Sequence, residues 1–201
     1  MICELKRLLP GFSIYEYMDE VHIRLPNDQE MYVTIKKKNG TFLIVANERN
    51  NHFSIIVLNQ NEAVVSAFFL VKKWYGIAPD LYRNYANSWT ARRIQKNVNL
   101  SNAQKAIKII SAHLDKSFYI IGSEDTSKIS LLLQGDYSDV KFQKRFIANH
   151  TSLENGYMLL YCYGRIMRSI AYDHKNLSKI MKCPPSLEIT QDLYMQIWEL
   201  I

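Results

Sequence analysis

Residues 30 to 58 alternate between apolar and polar positions in a way that predicts three antiparallel strands. The apolar residues from Met31 to Ile35 stand at every second position, which is the pattern of a strand with one buried face. Asn39-Gly40 supplies the two positive φ angles that a tight hairpin turn needs, so the chain returns from Thr41 to Val45 as the partner strand. His52 to Leu58 adds a third strand.

A helix follows these strands, capped by Asn59 or Asn61. Its apolar residues recur at helical spacing, so one side can lie across the apolar face of the sheet: Val64, Ala67, Phe68, Val71 and Tyr75. Upstream, a short amphipathic helix from Ile2 to Leu9 precedes strands at Phe12 to Met18 and Val21 to Leu25. The first third is therefore predicted to be a meander of five antiparallel strands closed by one helix.

The pattern weakens from Ile77 to Asn99, where aromatic and arginine residues follow Pro79 without a clear period. This segment is interpreted as an irregular connection with a helical turn or two, and as the boundary between two halves, residues 1–99 and 100–201. Long irregular connections are uncommon inside compact proteins and are often functional.

The second half is predicted to begin with a helix capped by Ser101. Four further segments follow: a strand at Phe118 to Ile121, an apolar strand at Ile129 to Leu133, a charged edge strand at Val140 to Ile147, and a polar loop at Ala148 to Gly156.

A second copy of the opening arrangement is then expected. Residues Gly156 to His174 are interpreted as a strand, a tight turn at Gly164 and a returning strand, with a helix from Asn176 to Met181. A last helix starts at Ser186. The predicted class is α+β, with antiparallel β-meanders and packed helices arranged as two related halves or as one compact domain.

Composition agrees with a folded protein and gives no sign of a membrane segment. Of 201 residues, 48% are hydrophobic and 22% charged, and the longest apolar run, Ala63 to Val71, is far below the roughly 20 residues that cross a bilayer. Glu4, Lys6 and Arg7 interrupt any export signal. Three cysteines without paired spacing fit a reducing compartment, so we expect a cytoplasmic protein.

Motifs for chemistry are missing from the sequence. Neither glycine-rich nucleotide-binding loop occurs, the five histidines have no metal-ligand spacing, and neither Cys162 nor Cys183 has a base next to it in sequence. We therefore predict no enzyme activity, no metal and no cofactor, although an enzyme without a recognisable motif stays as an alternative.

The net charge of +6 is spread over short clusters. These are Lys36-Lys37-Lys38, Lys72-Lys73, Arg92-Arg93 and Lys141 to Arg145. Such clusters fit solvated faces, phosphate contacts in a nucleic-acid-binding protein, or an acidic protein partner.

Aromatic and arginine side chains are interleaved in the irregular segment, and six of them form the candidate partner-binding set: Tyr82, Arg83, Tyr85, Trp89, Arg92 and Arg93. Tyr, Trp and Arg anchor protein interfaces because they bury large areas and keep a polar end. They also stack on unpaired bases, and aromatic residues here could equally fill a seam between the halves.

A strand-rich half closed by a helix ending in VKKWYGI, followed by GYMLLYCYGRIMRSIAYDHKNLSKIM, resembles bacterial immunity proteins of polymorphic-toxin and contact-dependent growth inhibition systems. In layout it is similar to immunity factors of the tuberculosis necrotizing toxin class, which inhibit NAD glycohydrolases. The match in the second half is a Gly-Tyr strand, a returning strand and a short helix near Leu177-Ser178; longer loops and an extra C-terminal helix depart from the pattern.

The resemblance implies a protein that binds a cognate toxin domain as a heterodimer and covers its active site, with no catalytic residues of its own. Charge bears on the toxin class, because inhibitors of basic nuclease toxins tend to be acidic. A basic inhibitor instead favours a toxin that acts on a small molecule or a protein.

Overall fold

The computed structural model describes residues 1–48, 51–75, 81–98 and 103–199. It confirms the predicted α+β class. The helices are α1 (Ile2–Leu8), α2 (Gln60–Trp74), α3 (Leu81–Ala86), α4 (Trp89–Asn97), α5 (Ala103–His113), α6 (Leu153–Ile180) and α7 (Leu187–Glu199). The strands are β1 (Ser13–Tyr17), β2 (Glu20–Arg24), β3 (Met31–Lys38), β4 (Thr41–Glu48), β5 (Asn51–Val57), β6 (Tyr119–Ile121), β7 (Ile129–Gln134), β8 (Tyr137–Phe142) and β9 (Arg145–Ser152).

The chain divides into two compact units. The first unit comprises Met1–Pro79 and Ile170–Ile201, and the second comprises Asp80–Ser169. Helix α6 contributes residues to both. The boundary predicted after residue 99 falls inside the second unit, and the two related halves of the sequence interpretation do not coincide with these units.

The first unit contains the predicted five-stranded antiparallel meander, in the order β1-β2-β3-β4-β5. The hairpin turn between β3 and β4 is confirmed, since Asn39 and Gly40 have φ of 50° and 82°. The inward face of the central strands is fully buried, with Val33, Ile35 and Ile44 at most 1% exposed. Helix α2 packs on this face.

Helix α2 begins where the sequence predicts, because Asn59 caps it. The Asn59 side chain accepts hydrogen bonds from the backbone N–H groups of Asn61 and Glu62, each at 3.0 Å. All residues from Ala63 to Val71 are buried, since sheet, α1 and α7 all pack against this helix. The predicted C-terminal helix is α7, and its Tyr194 ring meets the Phe69 ring edge to face at 5.2 Å.

The sheet of the second unit has the order β6-β7-β8-β9, with β6 parallel to β7 and the other pairs antiparallel. The strands predicted at Phe118 to Ile121 and Ile129 to Leu133 are confirmed as β6 and β7. The prediction of one edge strand from Val140 to Ile147 is wrong, because these residues form the end of β8, a turn and the start of β9. The loop predicted at Ala148 to Gly156 is also wrong, since β9 and the start of α6 occupy it.

The largest correction concerns residues 156–174. The predicted strand, turn and returning strand lie inside the 28-residue helix α6, and the helix predicted at Asn176 to Met181 is the end of the same helix. Gly164 makes no turn: a Cβ there would lie 2.2 Å from Leu114 Cδ2, so the glycine serves close packing on that side chain. The second copy of the opening meander is therefore absent from this segment.

The connection predicted to be irregular is largely helical. Residues 81–86 form α3 and residues 89–97 form α4, separated by a turn at Asn87 and Ser88. The proposed Ser101 cap lies outside the described residues, although the helix that it was expected to start is present as α5.

Candidate binding surfaces

Helix α4 carries three of the six predicted partner-binding residues. Ser88 caps it, its Oγ accepting a hydrogen bond of 3.2 Å from the Ala91 N–H. Ala91 and Ile94 are the buried residues of the helix. Gln95 is exposed too, and the other four exposed residues form what we call the basic face of α4: Trp89, Arg92, Arg93 and Lys96.

Trp89 is 71% exposed, which is unusual for the largest apolar side chain. The guanidinium carbon of Arg93 lies 5.0 Å from the centre of the Trp89 ring, one helical turn away, in a cation–π contact. Arg92 is exposed and makes no ion pair among the described residues. The basic face of α4 thus combines one exposed aromatic ring with cationic groups available to an acidic partner.

The other three predicted residues lie on α3. The Tyr85 hydroxyl is 3.0 Å from Ser169 Oγ, and the Arg165 guanidinium carbon lies 5.2 Å from its ring centre. Tyr85 is therefore half-buried in a contact with α6 within the second unit. The backbone of Tyr82 and Arg83 is helical, but their side chains lie outside the described residues.

A second surface, which the sequence analysis missed, is the outward face of the first unit's sheet. We call it the open sheet face, and register places its central residues in two cross-strand rows. One row is Tyr17, Glu20, Lys36, Leu43 and Ile56; the other is Tyr15, His22, Thr34, Val45 and Ser54. A pocket of about 560 Å³ opens over β2, β3 and β4.

Side chains on the open sheet face contact one another in pairs. The His22 ring stacks on Tyr15 with centres 5.4 Å apart and planes 10° from parallel. The centre of the Tyr32 ring lies 6.5 Å from the centre of the His22 ring. Lys36 Nζ is 2.7 Å from Glu20 Oε1. Because polar residues occupy positions opposite the core positions of β2 and β3, period-two alternation could have located this face.

The cysteines differ in their chemical accessibility. Cys3 and Cys183 are exposed, whereas Cys162 is buried in α6. Burial raises the pKa of the Cys162 thiol to about 12, so this group stays protonated and unreactive in the folded chain. Across the described ranges, no three His, Cys, Asp or Glu side chains come together as a possible metal-ligand set.

Comparison of the chain with protein-family models, with curated proteins and with solved structures gave no match. Among the helices of the described residues, none has the length and apolar character needed to cross a membrane.

Proposed function

We propose that this protein is an immunity protein: it binds a cognate toxin domain as a heterodimer, covers the toxin's active site and neutralises it. The observation that carries the proposal is the basic face of α4, where an exposed tryptophan makes a cation–π contact with a neighbouring arginine. Exposed Trp and Arg side chains are the residues that most often dominate the energy of protein interfaces.

The partner surface that fits this face is acidic and has a pocket for an indole ring. Arg92, Arg93 and Lys96 stand beside Trp89, and the whole chain carries a net charge of +6. Opposite charges raise the association rate and select the partner. An acidic surface is unlike that of a nuclease toxin, so we propose a toxin that consumes a small molecule, with NAD glycohydrolases as the first class to assay.

The choice of an NAD glycohydrolase depends on the resemblance to immunity factors of that toxin class, and the fold supports this resemblance over less of the chain. Its match in the second half was a strand pair, and the same residues form the single helix α6. The proposal of an inhibitor therefore rests on the basic face of α4, and the choice of NAD as the toxin's substrate rests on charge and on the layout of the first unit.

The test begins with native co-purification of the tagged chain at moderate salt and identification of any stoichiometric partner. The partner is then assayed for NAD cleavage with increasing amounts of this chain. We expect inhibition that is complete at one equivalent. Trp89→Ala and Arg92→Glu should each weaken the complex about thirtyfold, because interface anchors of this type cost about 2 kcal/mol when removed.

Matched controls separate the basic face of α4 from general effects. Tyr172→Ala removes an aromatic side chain of similar exposure, 69%, and Lys105→Glu makes the same charge change on the exposed side of α5. Both should bind at full strength. Full-strength binding by Trp89→Ala and Arg92→Glu would refute the surface assignment. If nucleic acid is recovered instead, and its affinity for the chain falls steeply as salt rises, the function would be nucleic-acid binding and not toxin inhibition.

A further inference from the structure

The pocket on the open sheet face has the size and the mixed lining of a small-molecule site. Its volume of about 560 Å³ lies within the range of roughly 300–1,000 Å³ that such sites occupy. Leu43 and Val45 of β4 supply an apolar wall, and His22 and Tyr32 add two rings. None of these residues belongs to the basic face of α4, so the pocket is independent of the proposed function.

Thr34 lines the pocket and is only 2% exposed. Its hydroxyl has no hydrogen-bond partner among the described residues, whereas buried hydroxyl groups in proteins are nearly always paired. An unpaired buried polar group costs about 1–3 kcal/mol. A ligand oxygen on the pocket floor would give this hydroxyl its partner.

The charged groups around the pocket favour an anion. Three lysines line it, Lys36, Lys37 and Lys38, against the carboxylates of Asp19 and Glu20. Glu20 is already engaged, since its carboxylate lies 2.7 Å from Lys36 Nζ and 3.7 Å from His22 Nε2. In the described ranges Lys37 and Lys38 have no carboxylate within ion-pair distance.

The rim of the pocket includes the two-residue hairpin turn between β1 and β2. Met18 and Asp19, between β1 and β2, have φ of 49° and 61°, and both line the pocket. Positive φ at both positions is the geometry of a two-residue hairpin turn, and the turn places both side chains at the edge of the pocket. Met18 is also 76% exposed, so its side chain is available to cover a bound molecule.

From these observations we infer that the open sheet face binds a small organic anion, in which a carboxylate or phosphate group is attached to a planar apolar body. The anionic group meets the lysine end of β3 and the Thr34 hydroxyl. The planar body lies against Leu43 and Val45, beside the ring of His22.

Titration of the ¹⁵N-labelled full chain tests this site, with phenyl phosphate as the probe and amide chemical shifts as the readout. Inorganic phosphate and benzyl alcohol are titrated in parallel, because they carry the charge and the ring separately. We expect saturable shifts confined to β2, β3 and β4 with phenyl phosphate, binding of inorganic phosphate about tenfold weaker, and no saturable response to benzyl alcohol.

Variants then assign the contacts. Thr34→Val keeps the side-chain shape and removes the unpaired hydroxyl, so it should weaken phenyl phosphate binding about tenfold without lowering the midpoint of thermal unfolding. Lys38→Gln should weaken binding several-fold, and the same change at the exposed Lys105 of α5 should leave it unchanged.

Three outcomes would overturn the inference. Benzyl alcohol binding as strongly as phenyl phosphate would show an apolar groove without anion preference. Shifts scattered over all lysine clusters, with equal losses in Lys38→Gln and Lys105→Gln, would show diffuse ion binding. The absence of any saturable shift would show that the pocket takes no ligand of this class. Trp89→Ala should respond to phenyl phosphate as the unsubstituted chain does, which keeps this test separate from that of the proposed function.

Discussion

At the scale of single residues, Gly164 shows how a missing side chain fixes the packing of a helix. A Cβ at this position would stand 2.2 Å from Leu114 Cδ2, and Leu114 is 2% exposed. We expect Gly164→Ala to lower the free energy of unfolding by about 1–2 kcal/mol. Overpacking costs about 1–3 kcal/mol, and the better helix propensity of alanine returns up to about 1 kcal/mol. Urea denaturation measures the difference.

A double-mutant cycle supplies the control for this change. In a Leu114→Ala background the crowding atom is gone, so adding Gly164→Ala should be neutral or stabilising. Equal destabilisation in both backgrounds would mean that the clash with Leu114 is not the cause.

Glycine also illustrates which single residues can be interpreted from sequence. Asn39-Gly40 is predictable because the pair itself encodes two positive φ angles between alternating segments. The turn predicted at Gly164 is wrong, because this glycine serves close packing against Leu114, about fifty positions away in the sequence. Among the candidate site residues, the exposure of Trp89 agrees with an interface role, whereas the hydrogen bond between the hydroxyl groups of Tyr85 and Ser169 depends on the fold.

At the scale of elements, the start of α2 depends on one side chain. Asn59 Oδ1 accepts two backbone hydrogen bonds, and its amide nitrogen donates to Glu62 Oε1 at 2.7 Å. Asn59→Ala should therefore lower the free energy of unfolding by about 1 kcal/mol, the usual loss for an N-cap. Equilibrium urea unfolding again provides the measurement.

Asn61→Ala is the matched variant, because Asn61 lies in the same turn and only its backbone N–H contacts the cap. It should change stability by less than about 0.5 kcal/mol, as expected for a surface substitution without a special role. If the two alanine variants were equally destabilised, capping by the Asn59 side chain would not explain the effect.

Helix α6 shows why the sequence predicts strands at residues 156–174, where the structure has a helix. Its tyrosines and isoleucines favour strands locally, and Gly164 stands where a hairpin turn would be expected. The buried positions nevertheless follow helical spacing, among them Tyr157, Leu160, Tyr161, Met167 and Ile170. Spacing over the whole 28 residues, with no proline to interrupt it, is the signal that outweighs local propensity.

At the scale of the whole molecule, the fold class was predictable because alternation, turn residues and the α2 cap all agree in the first unit. The division into units was not predictable in the same way. Residues 170–201 rejoin the first unit after the chain has formed the second, and no local pattern reveals such a return. The pocket on the open sheet face belongs to the same class of feature: alternation can locate the face, but β2, β3 and β4 must be in register before the pocket exists.

This return leads to a prediction about residues 1–99, the N-terminal half expected from sequence. Expressed alone, this fragment lacks α7, and with it the Tyr194 ring packed on Phe69 and the Ile197 carbonyl that accepts a hydrogen bond of 3.0 Å from Lys73. It also loses Asp173, 2.9 Å from Lys72. Re-exposing each large apolar side chain costs about 1.5–3 kcal/mol, against a total stability of about 5–15 kcal/mol for a typical domain.

We therefore expect fragment 1–99 to unfold without a cooperative thermal transition when followed by circular dichroism. Adding a peptide of residues 170–201 should restore a transition whose midpoint rises with peptide concentration, because binding to the folded state stabilises it by mass action. A peptide of the same composition in scrambled order should have no effect. If fragment 1–99 unfolds cooperatively at the midpoint of the full chain, the boundary after residue 99 is correct and α7 is dispensable for the first sheet. If the transition returns only with the peptide of residues 170–201, the first unit is built from both ends of the chain.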